Sequence, residues 1–300
     1  MGTSIVTSEP ANPHRDGGFT RLRLKLAYDG THFHGWAAQD GTDVRTVQTE
    51  VERALATVLR GDQLVRLTVS GRTDAGVHAR EQWAHADVEA ALLDGLDLST
   101  LRSRMNALLP GDVQLSAVDI APLGFDARFS PVSRLYRYRL SDRPETADPL
   151  RRHEVLAVDG PLDIPAMNAA GQRLLGLRDF AAFCRRREGA TTVRTLLRCH
   201  TSRTDDGLVV VTVQADAFCH SMVRSLVGAL LDIGQGRRGV AWIDELLSQQ
   251  ERTSQVQVAP ARGLTLESVA FPPDEELAAQ AVRTRRRREA PAGTPATPTG

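Results

Sequence analysis

Residues 70–87 read SGRTDAGVHAREQWAHAD, a run in which Gly71 and Gly76 bracket Arg72, Thr73 and Asp74. Glycine lets the backbone take left-handed or closely packed conformations, so the segment predicts a tight loop. The run at 64–69 before it and the run at 82–88 after it both predict strands, so the loop leaves the rigid edge of a sheet. A loop held in this way projects a few polar side chains from a fixed support, as a site requires. Residue chemistry alone leaves two readings of Asp74 open. One is a turn former bonding its own backbone, the commoner role of Asp in such segments; the other is a functional carboxylate.

Working outward, RLRLKLAYDG (21–30) alternates Leu22, Leu24 and Leu26 with Arg21, Arg23 and Lys25, the period of a half-buried strand. TVQTEVERALATVLRG (46–61) puts Val47, Val51, Leu55, Val58 and Leu59 on one helical face, closed by Gly61. STLRSRMNALLPG (99–111) predicts a helix capped by Ser99 and stopped by Pro110 and Gly111, and VQLSAVDIA (113–121) a strand. Beyond about residue 122 the order of elements resembles the first half. RLYRYRL (134–140) is a strand and IPAMNAAGQRLLG (164–176) a helix. LLRCHTSR and LVVVTVQAD form a hairpin around Asp205–Gly207. SMVRSLVGALLDIG and VAWIDELLSQ are helices, and LTLESVAF is a closing strand. This mixed order with hairpins predicts an α+β fold with mainly antiparallel strands, in two sheet-plus-helix halves at 20–122 and 123–272. Residues 1–19 and 273–300 read as disordered tails, the second carrying RTRRRR at 283–288 before an Ala/Pro/Thr/Gly-rich end.

Composition narrows the class. At 300 residues and 41% hydrophobic, the chain can bury a sizeable core. Its 37 basic and 37 acidic residues cancel, which neither suggests nor excludes a nucleic-acid partner, because phosphate binding needs a local basic face. Lys25 is the only lysine; every other basic residue is arginine, the better fork for phosphate and the better plate for stacking on bases. The three cysteines, Cys184, Cys199 and Cys219, show no CxxC spacing, which argues against a disulfide framework or a zinc site, and the eight histidines give no metal spacing. No apolar run approaches the roughly 20 residues of a membrane span, and the N-terminus lacks a signal-peptide core. The expectation is a soluble, cytoplasmic protein without metal.

GRTDAGVHA (71–79) resembles the signature loop of the tRNA pseudouridine synthase A family, in which the aspartate is the catalytic residue. Six further blocks are similar to that family in the same order: LAYDGTHFHGW (26–36), FDARFSPVSRLYRYRL (125–140), RDFAAF (178–183), VRTL (193–196), FCHSMVRSLVGALLDIGQGR (218–237) and ARGLTLESVAFP (261–272). The resemblance covers about residues 20–272. It implies a pseudouridine synthase-like fold around a central cleft, isomerisation of uridine in the anticodon stem-loop of tRNA at positions 38, 39 and 40, no cofactor, and a homodimer. The chain departs from the family pattern where Ala-Ala-Gln follows Trp36, at Thr265 in place of Tyr, at His220-Ser221 in place of an aromatic-His pair, and at Ser225 in place of Asn. These changes bear on RNA contacts and leave Asp74 untouched.

The resemblance also assigns roles. Pseudouridine formation breaks the C1′–N1 bond, turns the uracil and rejoins it through C5. Asp74 is the candidate nucleophile or base, with attack at C1′, attack at C6 and removal of the C2′ proton all open. Arg224 looks like its partner, since an unpaired charge within the apolar SMVRSLVGALL would be costly. Extruding the target nucleotide costs roughly a few kcal/mol, and Arg72 is the candidate to fill the vacated space. Tyr136 is assigned to stacking on the flipped uracil and to taking its C5 proton. Period two places Tyr138 on the same face, so one of the pair can be simple core. Leu264 is expected to line the pocket. His78 reads equally as an RNA contact or a structural loop histidine, and Phe129 and Trp36 as packing. Arg21, Arg23, Arg128, Arg134, Arg137 and Arg139 form a pool for phosphate contacts, and the 283–288 arginines read as an RNA tether or a solvated tail. Two other functions compete. A non-catalytic RNA-binding protein of the same fold would not need Asp74. A hydrolase of small nucleosides needs a second carboxylate, for which Glu81 is the nearest glutamate.

Overall fold

The computed structural model describes residues 18–39, 41–60, 65–185 and 191–289. In strand β1 (Phe19–Tyr28) every second residue is buried, and Leu22, Leu24 and Leu26 are fully enclosed, as the alternation dictates. Helix α1 (Val47–Leu59) starts at Thr46, whose hydroxyl and that of Thr49 close a reciprocal cap, an arrangement that contributes about 1 kcal/mol. Its apolar face packs Val47, Val51, Leu55 and Leu59 into the core.

The predicted strand at 64–69 shortens to β2 (Thr68–Val69). The Leu67 N–H donates to the buried Glu52 carboxylate of α1 at 2.8 Å, and so is lost to any strand ladder. β3 (His78–Glu89) follows the glycine-bounded loop and pairs antiparallel with both β1 and β2. Helix α2 (Leu98–Leu108) is capped by Asp97, two residues before the expected Ser99, through a bond from the Thr100 N–H at 3.0 Å. β4 (Val113–Ile120) completes the first half beside β1.

The second half supplies β5 (Ser133–Ser141), a short β6 (Leu156–Ala157), α3 (Ile164–Arg173), β7 (Gly176–Asp179), the hairpin of β8 (Val193–Arg203) and β9 (Val209–Ala215), α4 (Met222–Gly234), α5 (Trp242–Leu247) and β10 (Leu264–Ala270). The strands join one ten-stranded sheet in the order β4-β1-β3-β10-β5-β9-β8-β7, with β2 beside β3 and β6 beside β5. β10 returns to the middle of the sheet, antiparallel to β5 and parallel to β3, with Leu266 opposite both Tyr136 and Ala79. One buried cluster accordingly runs through both halves, from Leu22 to Val269.

The reading of residues 273–300 as disordered needs correction over its first part. Helix α6 (Leu277–Glu289) follows β10. Leu277 sinks into a small cluster with Ala121, Phe125 and Ala127, and Ala281, one turn on, is buried as well. Leu277 and Ala281, at i and i+4, share one face of the helix and dock it, while the arginines that follow keep its mean hydropathy low. Residues 290–300, and most of the expected N-terminal tail, lie outside the described residues.

Candidate active site

The loop between β2 and β3 is held by the backbone of the 30–36 segment. The Trp36 N–H donates to the Thr73 carbonyl at 3.1 Å, and the Gly76 N–H to that of Phe33 at 3.2 Å. Gly76 has φ +78°, a left-handed conformation that glycine takes without strain, whereas Gly71 has an ordinary φ and open space at its Cβ. Beneath the loop, the buried Tyr28 hydroxyl shares a 2.8 Å hydrogen bond with Thr73 Oγ1. Gln82, fully enclosed, donates to the Gly71 carbonyl at 2.8 Å. Burial pushes the Tyr28 phenol up to about 12, so it stays a neutral prop.

Asp74 projects from this frame toward the first turn of α4. Its Oδ2 accepts from Arg224 Nη1 at 3.3 Å and from Ser221 Oγ at 3.2 Å, while His220 Nε2 lies 3.6 Å from Oδ1. Arg224 is itself anchored, its Nε donating to the Ala259 carbonyl at 2.7 Å. Ser221 occupies the N-cap position with φ 62°, and its hydroxyl makes no cap bond. The hydroxyl turns to the carboxylate instead, which therefore sits where a helix N-terminus favours negative charge. Asp74 and Arg224 are both about one-fifth exposed, open enough for a ligand and shielded enough for their charges to be felt.

A cleft of about 710 Å³ opens over this pair. Asp74, Arg72, Tyr136, Arg224 and Leu264 all line it, so the five residues singled out in the sequence converge on one place. Arg72 is exposed at its rim. Leu264 is an apolar wall, and Tyr136 stands edge-on to Phe218 with 5.2 Å between ring centres. The two tyrosines of β5 divide as their shared face allows. Tyr138 is fully buried and donates to the Pro260 carbonyl at 2.7 Å, while Tyr136 faces the cleft. Burial pushes the Tyr136 phenol well above its ordinary range, and the nearby Tyr28 and Asp74 add to the rise. The resting group is a neutral phenol, suited to stacking; removing the C5 proton as a phenolate would first cost its own ionisation.

Electrostatically the cleft is one-sided. Among the described residues that line it are seven arginines and a single carboxylate, Asp74. The zero net charge of the chain thus conceals a concentrated basic surface. The pool of candidate phosphate-binding arginines shrinks, however. Arg134 is buried and bridges the Ser70 and Asp216 carbonyls at 2.7 Å each, tying the loop to the end of β9. Arg139 is paired with Glu267 at 2.6 Å, and Arg21 with Asp87 through two bonds of 2.6 and 2.7 Å. Arg128 remains exposed in the cleft lining. His78 is structural: buried, it accepts from the Gly30 N–H at 3.1 Å through Nδ1, and its Nε2 faces the carbonyls of His153 and Arg262. Glu81 is tied to Lys25 at 2.7 Å and to the Trp83 indole at 3.0 Å, and does not line the cleft. The paired carboxylates of a glycosidase are not assembled here.

Three features went unread in the sequence. His220 and Ser221 were noted only as departures from a pattern, although both reach Asp74. Cys184 and Cys219 meet as a disulfide across 35 residues, fastening the 180–185 turn to the strip that carries His220. The argument from the lack of CxxC spacing failed because spacing along a chain does not report proximity in the fold. Arg285 of α6 also lines the cleft, out of a stretch read as tail.

Comparison with known proteins gives the class, an RNA-modifying isomerase. The chain matches the family described as tRNA pseudouridine synthase over residues 26–130 and 170–272, and it belongs to that family. Similar proteins named tRNA pseudouridine synthase A occur in Cutibacterium acnes, 55% identical over 90% of this chain and 95% of that one, and in Frankia casuarinae, 55% identical over 94% and 99%. A third, from Mycobacterium leprae, is 47% identical over 93% of this chain and 98% of its own.

Proposed function

We propose that this chain isomerises uridine to pseudouridine in the anticodon stem-loop of tRNA, at positions 38, 39 and 40, with Asp74 as the catalytic carboxylate, acting in the cytoplasm as a homodimer. The observation that carries the reading is Asp74, the lone carboxylate among the described residues of an arginine-lined cleft, gripped by Arg224 and Ser221. The overall change is balanced without a co-reactant: the C1′–N1 bond breaks, a C1′–C5 bond forms, the C5 proton leaves and N1 ends as N–H. What the protein must supply is a fixed negative charge at the sugar or the base, a surface for the turned uracil, and a grip on the backbone.

Each of these has a candidate among the cleft residues. Asp74 lies within reach of a nucleotide drawn into the cleft, and its partners hold one orientation of the carboxylate. Tyr136 and Leu264 offer an aromatic face and an aliphatic wall for a flat pyrimidine. The exposure of Arg72 in the cleft lining, two residues from Asp74, supports its reading as the side chain that fills the stack the uridine vacates. No helix among the described residues is long and apolar enough to cross a membrane.

The test is tritium release from tRNA labelled at uracil C5, with Asp74→Asn and Asp74→Ala beside the wild-type chain. Both variants should bind tRNA and release no tritium. Turnover by either at the wild-type rate would end the assignment. Nucleotide-resolution mapping of the product reads the positions directly.

A further inference from the structure

Helix α6 begins beyond residue 272, where the match to the family ends, and yet it delivers a side chain to the cleft. Its docking is firm. Leu277 is buried against Phe125, its carbonyl accepts from Ser130 Oγ at 3.3 Å, and the turn at Gly124 lies so close that a Cβ there would strike Ala278. Two turns further on, Arg285 folds over the ring of Phe129, 4.6 Å from its centre, with Arg128 5.0 Å from the same ring. Arg285 Nη2 donates to Asp126 Oδ2 at 3.1 Å, while Oδ1 of that carboxylate accepts the N–H groups of Arg128 and Phe129 at 2.8 and 3.0 Å. One aspartate thus sets both arginines and the aromatic ring in a single lip.

We propose that α6 is an RNA-binding arm and that Arg285 is a phosphate contact on the lip of the cleft, gripping the backbone beside the extruded nucleotide. The proposal rests on tRNA being the substrate. Arg285 is about half exposed although it is aimed by Asp126 and Phe129, so its remaining donors face the open side. The deeper arginines are already committed, Arg134 to two carbonyls and Arg224 to Asp74 and Ala259. A helix that served only as a strap over the Phe125 cluster would need Leu277 and Ala281. It would gain nothing from five arginines within 283–288, whose mutual repulsion opposes the helix. A polyanion laid along that lip removes the repulsion and releases its counterions.

The experiment uses the full chain and an unmodified tRNA transcript, with Arg285→Ala and Arg285→Lys. Affinity is measured across a salt series, and kcat and KM are taken from C5 tritium release. Arg285→Ala should raise Kd and KM about fivefold and lower the slope of log affinity against log salt by about one, with the loss in KM rather than kcat. Arg285→Lys should recover most of the affinity, since the charge is retained. An alanine variant with wild-type KM and salt slope would overturn the proposal, whether or not its melting temperature falls. A wild-type chain that releases no tritium would instead overturn the substrate reading, so the two failures are distinct.

Discussion

Replacing Arg224 by Gln removes the cation beside Asp74 and leaves a shorter, uncharged polar side chain. At the observed 3.3 Å separation, an effective dielectric near 20 gives a ceiling of about 5 kcal/mol for the pair. Both side chains are about one-fifth exposed, and a charge-assisted hydrogen bond in that setting is worth about 2–3 kcal/mol. If that interaction holds the carboxylate in the orientation the reaction uses, the chemical step should slow by about 30- to 150-fold. Arg224→Lys restores the charge, but one ammonium does not serve both Asp74 and the Ala259 carbonyl, which Arg224 reaches with separate nitrogens. It should fall between wild type and glutamine, at about a tenfold loss.

The assay is single-turnover tritium release with enzyme in excess of tRNA, so that weaker binding does not enter the rate. Loss of the Ala259 bond costs about 1 kcal/mol of stability, a fall of about 2–4 °C in Tm for a chain of this size, and the rate is therefore read well below the transition. A glutamine variant within threefold of the wild-type rate, beside an inactive Asp74→Asn, would refute the argument that this guanidinium positions the carboxylate.

Gly30→Ala should destabilise the chain by more than about 3 kcal/mol, because its Cβ would fall on the Val77 carbonyl oxygen, a backbone atom with no freedom to withdraw. A denaturant midpoint unchanged by the substitution would contradict this. Asp142 has a fully buried side chain and accepts a two-pronged grip from Arg203 at 2.7 and 2.8 Å, which with the Leu162 N–H holds its carboxyl below the ordinary range. Since its folded-state pKa is depressed, that stabilisation is complete above about pH 4, the unfolded value, and disappears as the pH drops through the folded one. Asp142→Asn should cost about 3 kcal/mol at neutral pH and flatten this part of the acid-unfolding curve; equal losses at pH 7 and pH 2 would refute the assignment.

The elements that could be read from the chain are those in which one face decides the conformation. Leu22, Leu24 and Leu26 alternate because β1 has a single buried face, and the hairpin of β8 and β9 turns where Gly207 takes φ +84°. Asp74 and Arg224, by contrast, are 150 residues apart, and only the family resemblance linked them. Arg134 and Arg139 were offered to phosphate because an arginine on a strand looks alike whether it faces water or a buried carbonyl. Helix α6 was missed for a related reason. Its two anchors are outnumbered by arginines, and low hydropathy reads as disorder unless a matching cluster, here Phe125 and its neighbours, is known to exist elsewhere.

The position of β10 explains why the site is a property of the whole sheet. Because the last strand inserts between β3 and β5, the loop bearing Asp74 and the strand bearing Tyr136 become next-but-one neighbours in the sheet, and Leu264 at the start of β10 lies opposite Tyr138. The 257–260 segment leading into β10 packs on α4, where the Gln257 carbonyl lies against Gly228 and Ala259 bonds Arg224 in both directions. The same stretch of chain therefore sets the register of the sheet and the height of the Arg224 guanidinium above it. The carboxylate of the loop before β3 thus meets its cation on α4 beside β10, whose pairing joins β3 to β5 and whose lead-in segment bonds Arg224.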